Sequence, residues 1–402
     1  MNKKISVGAA IVVIALSVLI TFQLTYIGVN NKYEKVLSEL KDTQLLYDKL
    51  ASVDALYRSS YIGEIDETKL VDSVLKGYVE GTGDKYGAYY NKDEFAEIVK
   101  DSNAELVGIG INVIYDYEYS AIRVINVMPD SPALEAGVMP GDLIAYVSGQ
   151  PMTELGYSSA LSMLRGEEKT FAEMTVLRDG KLMDFKIERR KITDYTVYSH
   201  VYSGDSEIGV VQILEFDNGT PLQFKAALRE LEGKGVKKLI FDVRNNPGGQ
   251  LESIKEVLDY LLPEGVIIRI HDAAGKEETL VSDASQVDMP MMVLVNGNTA
   301  SAAELFASAL RDYNKAKLVG ETTYGKGTMQ TMMPLYDGSA VSVSQNMYSP
   351  PVSENYEGVG LVPDVKVELS EEIANKSVFL LDESEDLVLI AAVNEFSNDK
   401  NN

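Results

Sequence analysis

The chain begins with its most apolar segment. Lys3 and Lys4 precede a run without charged residues from Ile5 to Asn31. As a helix, residues 7–29 would extend roughly 34 Å at about 1.5 Å per residue, which is enough to cross the apolar core of a bilayer. We therefore predict a signal-anchor helix over residues 1–30, with its positive end in the cytoplasm. A cleaved signal peptide is the alternative, but residues 21–26 offer no convincing small-x-small cleavage site.

The spacing of apolar residues then changes along the chain. Over residues 31–103 it is three to four, which predicts a helical arm, and over residues 104–190 short alternating runs predict strands. Over residues 191–369, apolar strand-like runs alternate with amphipathic helical stretches, which is typical of βα units around a buried sheet. The last segment, residues 370–402, has a helical pattern and a polar tail. The predicted fold is therefore an α/β multidomain protein with an N-terminal anchor and helical arm, a β-domain, a βα core and a short C-terminal helical segment.

Composition excludes several classes of function. With 37 basic and 61 acidic residues the net charge is −24, so no surplus of positive charge exists to bind nucleic acid. The chain has no cysteine, which excludes thiol catalysis, and only two histidines, which lie far apart in the sequence. We predict neither a metal site nor a cofactor.

A set of short motifs in the β-region resembles a PDZ domain. In chain order they are Ser131-Pro132-Ala133, Ala136-Gly137, Pro140-Gly141-Asp142 and Ile144. The resemblance implies that residues 104–190 form this domain. Its carboxylate-binding loop then corresponds to Val107, Gly108, Ile109, Gly110 and Ile111, whose backbone N–H groups would receive the C-terminus of a peptide. A glycine-containing turn without a ligand is the alternative for this loop.

Ser301 is the candidate nucleophile. It follows a turn and opens an apolar helix, where free N–H groups and the helix dipole favour a developing negative charge. Ser301 and Glu304 also have the spacing of a capping box, so the same residues are consistent with a simple helix start.

Lys326 and Gln330 are the candidate base and its orienting group. A lysine that accepts a proton must be neutral, so its pKa, ordinarily about 10.4, has to fall in an apolar pocket. No acidic residue lies between Glu321 and Asp337, and several methionines do. Since glycines flank Lys326, we predict a strand in which positions 326, 328 and 330 share one face. An exposed turn lysine and a surface glutamine are the alternatives.

The turn with Gly248 and Gly249 supplies the last part of the site. It follows a predicted buried strand and precedes a helix, so a bare backbone N–H of Gly248 could serve an oxyanion hole together with the N–H of Ala302. We assign Arg244 a structural role in ordering this turn.

These motifs together resemble the carboxyl-terminal processing proteases, a family of serine peptidases with a Ser-Lys-Gln triad and an inserted PDZ domain. The resemblance covers nearly all of the chain after the anchor. It implies that Ser301, Lys326 and Gln330 are nucleophile, base and orienting group, with Gly248 and Ala302 at the oxyanion hole. It also implies that Arg165, at the end of a PDZ helix, relays PDZ occupancy to the protease site. Residues 191–369 are then the protease core.

Two segments depart from the family pattern. The family's Asp-Pro-Tyr-Ser of the arm is replaced by Asp84-Lys85-Tyr86-Gly87, and the segment from Tyr348 to Pro351 lacks a glycine common in the family. We expect these departures to affect arm packing and substrate contacts without touching the triad.

The sequence thus predicts a membrane-anchored, extracytoplasmic serine endopeptidase of the cell membrane. Its expected partners are protein or peptide substrates with apolar C-termini, the membrane, and a second copy in a homodimer. One alternative is a membrane-tethered PDZ adaptor on an inactive protease scaffold. Another is a Ser-His hydrolase that uses His200 or His271.

Overall fold

A computed structural model describes residues 43–103, 107–116, 119–284, 286–370, 373 and 378–398 of the chain. Its strands are β1 (Ala88–Tyr90), β2 (Val107–Gly108), β3 (Ile111–Asp116), β4 (Ala121–Val127), β5 (Leu143–Val147), β6 (Gln150–Pro151), β7 (Phe171–Arg178), β8 (Lys181–Glu188), β9 (Arg190–Lys191), β10 (Val197–Val201), β11 (Ile208–Ile213), β12 (Lys238–Asp242), β13 (Gly265–Asp272), β14 (Glu277–Ser282), β15 (Met291–Val295), β16 (Ala316–Gly320), β17 (Thr328–Pro334), β18 (Ala340–Ser349) and β19 (Val365–Lys366).

The α-helices are α1 (residues 43–60), α2 (Glu67–Gly81), α3 (Lys92–Asn103), α4 (Pro132–Glu135), α5 (Met152–Leu155), α6 (Tyr157–Leu164), α7 (Thr220–Gly233), α8 (Leu251–Leu261), α9 (Ala302–Asp312) and α10 (Leu387–Asn398). A 3-10 helix covers Val378–Leu380. The chain divides into two compact units, residues 1–73 and residues 74–402.

In the first unit, helix α1 leaves its apolar side chains exposed, and Arg58 near its end bonds Asp54 and Glu67. The predicted anchor over residues 1–30 lies outside the described residues. Among the residues that the structure does describe, none forms a helix long and apolar enough to cross a membrane.

In the second unit, the core is built on a six-stranded sheet in the order β10-β11-β12-β15-β16-β19. All neighbouring strands are parallel except the edge pair β10 and β11. Helices α7, α8 and α9 cover one face, and α10 covers the other. Strands buried on both faces explain the continuous apolar runs in the sequence, such as that of β15. The predicted βα core is confirmed.

A second, antiparallel sheet runs in the order β1-β18-β13-β14, with β17 paired to β18. It joins the end of the helical arm, through β1, to the segment that follows Lys326. The predicted strand over positions 326–330 is corrected here. The strand begins only at Thr328, so Lys326 lies in the preceding loop, and a bulge separates Met329 from Gln330.

The region of the predicted PDZ domain has its own apolar core and its own sheet, β3-β4-β5-β7-β8, with β6 on β5. Strands β2 and β9 pair at the two ends of the region, so its first and last residues meet. The β7–β8 hairpin turns at Asp179 and Gly180, both with positive φ, as the Asp-Gly pair in the sequence predicts.

Candidate active site

Ser301 lies at a sharp turn between strand β15 and helix α9. Its φ of 58° and ψ of −122° are rare for a residue with a side chain, and such strain is typical of functional sites. Two neighbouring contacts hold the turn: the N–H of Ala300 donates to the carbonyl of Asn246 at 2.9 Å, and the Thr299 hydroxyl donates to the carbonyl of Val243 at 2.9 Å. These two hydrogen bonds therefore connect the turn of Ser301 to the turn that carries Gly248.

The buried carboxylate of Glu304 joins the turn of Ser301 to the loop of Lys326. Glu304 is fully buried, and its Oε2 accepts the N–H of Ser301 at 2.9 Å and the N–H of Lys326 at 2.8 Å. Its Oε1 accepts the N–H of Gly325 at 2.7 Å and the hydroxyl of Thr323. The predicted bond from the N-cap backbone to Glu304 thus forms, but the same carboxylate also positions the backbone of the candidate base.

The Ser301 hydroxyl meets a tyrosine. Oη of Tyr348, on β18, lies 2.8 Å from Oγ of Ser301 and 2.8 Å from the carbonyl oxygen of Lys326. Burial raises the pKa of Tyr348, which keeps the phenol protonated. A phenol has one proton and a carbonyl oxygen can only accept, so donation to Lys326 leaves Tyr348 Oη as the acceptor for the Ser301 proton.

Lys326 does not reach Ser301 in this arrangement. Its Nζ stands 4.8 Å from the centroid of the Tyr86 ring, in cation–π geometry. Tyr86 belongs to the segment between α2 and β1. Within the described part of the chain, Lys326 Nζ has no hydrogen bond or ion pair.

Gln330 is likewise turned toward other groups. Its Nε2 donates to Oγ of Ser344 at 3.1 Å and to Oγ1 of Thr328 at 3.2 Å. Ser344 in turn donates its hydroxyl to Asp84 Oδ1 at 2.7 Å. The structure therefore brings the backbones of the predicted triad into one site but leaves its side chains unconnected.

The two candidate oxyanion donors lie beside the nucleophile. A Cβ on Gly248 would stand 2.7 Å from Ser301 Cβ and 2.8 Å from the backbone nitrogen of Ala302. Ala302 is the first residue of α9, so its N–H has no partner within the helix. The N–H of Gly248, however, donates to Oδ1 of Asn246 at 2.8 Å. This donor must leave Asn246 before it can serve an oxyanion.

Arg244 has the structural surroundings that the sequence suggested. It is buried and forms two bonds to Asp242 and two to Asp386, at 2.6–2.9 Å. Asp386 also accepts the first N–H groups of helix α10. The C-terminal helix is thus tied to the turn of Gly248.

The predicted carboxylate-binding loop lines a cavity of about 300 Å³ in the PDZ region. Val107, Gly108, Ile109, Gly110 and Ile111 all face it, together with apolar residues of α6 such as Leu161 and Leu164. Such a groove has room for an apolar C-terminal side chain beside the loop.

Arg165 lines the same cavity rather than the site of Ser301. Burial and then the charge of Asp217 raise the pKa of Asp194, and the charge of Arg165 opposes this shift. Asp194, Glu215 and Asp217 hold their carboxylate oxygens within 4.8 Å of one another. Arg165 therefore lies near enough to Asp194 for its charge to favour the ionised carboxylate.

Both histidines have acidic neighbours outside the site. His200 Nε2 lies 2.7 Å from Glu383 Oε1, and His271 Nε2 lies 3.5 Å from Glu277. Neither is hydrogen-bonded to Ser301 among the described contacts. The alternative of a Ser-His pair therefore has no geometric support.

Sequence reasoning missed three groups that contact the predicted triad: Tyr348 at Ser301, Tyr86 at Lys326 and Ser344 at Gln330. The expectation that the two departures from the family pattern leave the triad untouched was wrong. Both segments reach it, one through the phenol on Ser301 and the other through the ring beside Lys326. The contacts come from Tyr86 and Tyr348, which are not themselves departures, so the departures marked the segments without indicating these contacts.

Two family profiles match the chain. Peptidase family S41 matches residues 207–367, and the PDZ domain matches residues 107–188. The Carboxy-terminal processing protease CtpA of Bacillus subtilis strain 168 is 33% identical over 326 residues, covering 80% of this chain and 69% of that protein. The chain belongs to peptidase family S41.

Two further comparisons also point to this family and fold. The Probable CtpA-like serine protease of Staphylococcus aureus strain MSSA476 is 30% identical over 358 residues, covering 88% of this chain and 71% of that protein. The crystal structure of a candidate S41 protease from Bacteroides fragilis shares the fold, with a TM-score of 0.58 at 17% identity over 84% of this chain and 92% of that chain. The predicted resemblance is confirmed: the S41 chain is a serine-type C-terminal processing peptidase with a PDZ domain.

Proposed function

We propose that this S41 peptidase cleaves its substrates through a Ser-Lys-Gln mechanism carried by Ser301, Lys326 and Gln330. The observation that carries the proposal is the shared carboxylate of Glu304, which binds the backbone N–H groups of both Ser301 and Lys326. Because both backbones bond one oxygen, they are neighbours. A change of side-chain rotamers can then bring Lys326 Nζ to Ser301 Oγ.

In the proposed reaction, neutral Lys326 takes the proton of Ser301, and Oγ attacks the scissile carbonyl. The amides of Gly248 and Ala302 stabilise the oxyanion of the tetrahedral intermediate. Lys326 gives the proton to the leaving amine, and an acyl-enzyme remains. Lys326 next takes a proton from water, whose oxygen attacks the ester carbonyl. The C–Oγ bond then breaks, Lys326 returns the proton to Ser301 Oγ, and the new C-terminus is released. Gln330 holds the lysine amine in line with Ser301.

Three rearrangements must precede this chemistry. Tyr348 has to release Ser301 Oγ, Lys326 has to leave the ring of Tyr86, and the N–H of Gly248 has to leave Asn246. The described arrangement is therefore that of a resting enzyme. An enzyme that rests in this way is active only when something assembles the site.

The substrate tail is the proposed trigger. A peptide C-terminus would bind the backbone of the Val107–Ile111 loop and place an apolar side chain in the adjoining cavity. Arg165 lines that cavity, and we propose that it relays occupancy toward the protease core. Residues 1–30 would anchor the enzyme in the cell membrane with the protease outside the cytoplasm, and two copies would form a homodimer. The proposed reaction uses no metal or cofactor.

Cleavage of β-casein by the purified full-length chain tests the mechanism, beside Ser301→Ala and Lys326→Ala. Cleavage by the parent and loss in both variants is the expected result. Equal cleavage by all three preparations would point to a contaminant or another site. His200→Gln and His271→Gln serve as controls, because the mechanism predicts that both keep full activity.

One observation favours a second function. The Ser301 hydroxyl lies on Tyr348 rather than on Lys326, as it would in a PDZ adaptor that no longer cleaves. Binding of a free-carboxylate peptide without cleavage of β-casein by the parent would establish the adaptor. Cleavage that requires Ser301 and Lys326 would exclude it.

A further inference from the structure

The segment Asp84–Gly87, which we call the arm turn, enters the active site from the helical arm. It links helix α2 to strand β1, and β1 pairs antiparallel with β18 through Ala88 and Ser342. The turn is closed internally, because the N–H of Tyr86 donates to Asp84 Oδ1 at 3.1 Å and the N–H of Gly87 donates to the Asp84 carbonyl at 3.1 Å. The arm turn therefore docks as a preformed unit beside the segment that holds Lys326 and Gln330.

The aromatic ring of the arm turn faces the candidate base. Lys326 Nζ stands 4.8 Å from the Tyr86 centroid, within the range of a cation–π interaction. This interaction favours the ammonium over the neutral amine, whereas a general base must be neutral. The phenol oxygen of Tyr86 is buried and accepts from no group other than its neighbour Lys85 among the described residues, and the Lys85 ammonium also lies over the ring, 5.0 Å from its centroid. The ring, rather than the hydroxyl, is thus the part of Tyr86 that contacts the site.

The carboxylate of the arm turn reaches the orienting group through one serine. Asp84 accepts both the hydroxyl of Ser344 at 2.7 Å and its N–H at 2.8 Å. Because the hydroxyl proton goes to Asp84, the oxygen of Ser344 is left to accept from Gln330 Nε2, at 3.1 Å. Asp84 thereby fixes the direction of the Gln330 amide without touching it.

We propose that Asp84 and Tyr86 are positioning residues of the arm turn that hold Lys326 and Gln330 in the resting state. The proposal rests on the Ser-Lys-Gln function of those two residues. The ring of Tyr86 holds the side chain of Lys326 away from Ser301, and Asp84, through Ser344, holds the amide that would orient the base. Activation then includes release of Lys326 from the arm turn.

The first test separates the ring from the rest of Tyr86. The pH dependence of kcat/KM for β-casein reports the base of the free enzyme. Tyr86→Leu keeps apolar bulk without a ring. In this variant, the midpoint of the rise in kcat/KM with pH should move to lower pH by about 0.5 to 1 unit. Tyr86→Phe keeps the ring and should retain the parent midpoint. A role in packing alone would lower activity without moving the midpoint.

The second test concerns the link to Gln330. Ser344→Ala removes one of the two side-chain acceptors of the amide and leaves Thr328 Oγ1, so basal kcat/KM should rise about threefold, for the loss of one hydrogen bond. Ser342→Ala is the matched control, since this buried serine lies two residues away on the same strand and should behave as the parent. Thermal unfolding of each variant checks that the fold is kept.

Two results would overturn the proposal: an unmoved midpoint in Tyr86→Leu, or equal activities in Ser344→Ala and Ser342→Ala. If Tyr86→Leu fails to fold, Ser344→Ala against Ser342→Ala still decides, and if Ser344→Ala fails to fold, Tyr86→Leu against Tyr86→Phe does. If either result is obtained while the parent cleaves and Ser301→Ala and Lys326→Ala do not, only the positioning role has failed. A parent that cleaves neither β-casein nor a peptide substrate with an apolar free C-terminus would instead refute the underlying function.

Discussion

Oη of Tyr348 lies 2.8 Å from Oγ of Ser301, whereas no hydrogen bond joins Lys326 to that hydroxyl among the described residues. The same phenol bonds the backbone carbonyl of Lys326. Buried Tyr348 thus links Ser301, the proposed nucleophile, to the loop of Lys326. It also accepts the hydroxyl proton of Ser301. The hydrogen bonds of the described residues therefore join Ser301 to Tyr348 and do not join it to Lys326.

Removal of this phenol should raise basal activity. In Tyr348→Phe the Ser301 proton is free to reach Lys326, and a net hydrogen bond of about 1 kcal/mol corresponds to about a fivefold increase in β-casein cleavage. Tyr313→Phe is the matched control, because this phenol donates to the carbonyl of Val266 rather than to Ser301, at 2.9 Å. A fall in kcat for Tyr348→Phe at unchanged stability would show instead that Tyr348 takes part in catalysis.

The carboxylate of Glu304 should be indispensable for both structure and activity. In Glu304→Gln one oxygen becomes an NH2 group facing backbone donors, so buried N–H groups of Ser301 or Lys326 lose their acceptor. We expect a loss of about 2–3 kcal/mol in the free energy of unfolding and a loss of cleavage of about tenfold or more.

Glu357→Gln provides the comparison for this change. Glu357 accepts a single N–H, that of Gly327, at 2.7 Å, and the remaining amide oxygen can still accept it. Activity should therefore stay near that of the parent. Urea denaturation and casein cleavage measure the two effects, and a Glu304→Gln protein with parental activity would contradict the role given to this carboxylate.

Alanine substitutions at the two neighbouring glycines, Gly248 and Gly249, should impair the protein in different ways. Gly248 has a φ of 107°, and a Cβ there meets Ser301 and the N–H of Ala302, so Gly248→Ala should abolish cleavage. In Gly249→Ala, the Cβ would stand 2.1 Å from the carbonyl oxygen of Phe216, which forces the main chain to move. We expect this second variant to lose stability as well, by about 3 kcal/mol or more.

Gly233→Ala is a suitable control for both glycine variants. Gly233 ends helix α7, has ordinary helical backbone and open space where the Cβ would lie, so the change should be neutral or stabilising by up to about 1 kcal/mol. Thermal unfolding and casein cleavage measured side by side would separate the effects. Parental activity in Gly248→Ala would refute the oxyanion role of this turn.

Regular patterns predicted most of the fold, because they are recorded locally in the sequence. The continuous apolar run of β15 and the Asp179-Gly180 turn are examples, and both elements lie where the pattern predicted them. The start of helix α9 at Ser301 is another. Each depends on residues a few positions apart.

The side-chain connections of the site could not be predicted in the same way. Tyr86 meets Lys326 because β1 pairs with β18, a contact between segments about 250 residues apart in the chain, and Asp84 meets Ser344 for the same reason. The sequence predicted Gln330 as a partner of Lys326, but a bulge next to it and the acceptor on Ser344 turn the amide elsewhere. Spacing identifies which residues share a site, whereas rotamers depend on every neighbouring donor and acceptor.

Tail binding by the PDZ region should weaken as pH rises. Burial and the charge of Asp217 raise the pKa of Asp194, and burial together with the charges of Asp194 and Asp217 raises that of Glu215. Both residues line the cavity of the Val107–Ile111 loop. Below the ordinary pKa of about 4 they are neutral, and as pH rises through their raised pKa values they become anions that repel a peptide carboxylate.

Fluorescence anisotropy of a labelled peptide with an apolar free C-terminus, between pH 4 and pH 8, measures this effect. The affinity should fall with rising pH in the parent and fall less in Asp194→Asn, which removes one of the titrating groups. By linkage, the same substitution should raise the melting temperature at pH 7 and leave it unchanged near pH 4, because only the ionised carboxylate is destabilising. A C-terminally amidated peptide controls for the carboxylate, and a pH-independent affinity for the free peptide would show that the acidic residues do not face the bound tail.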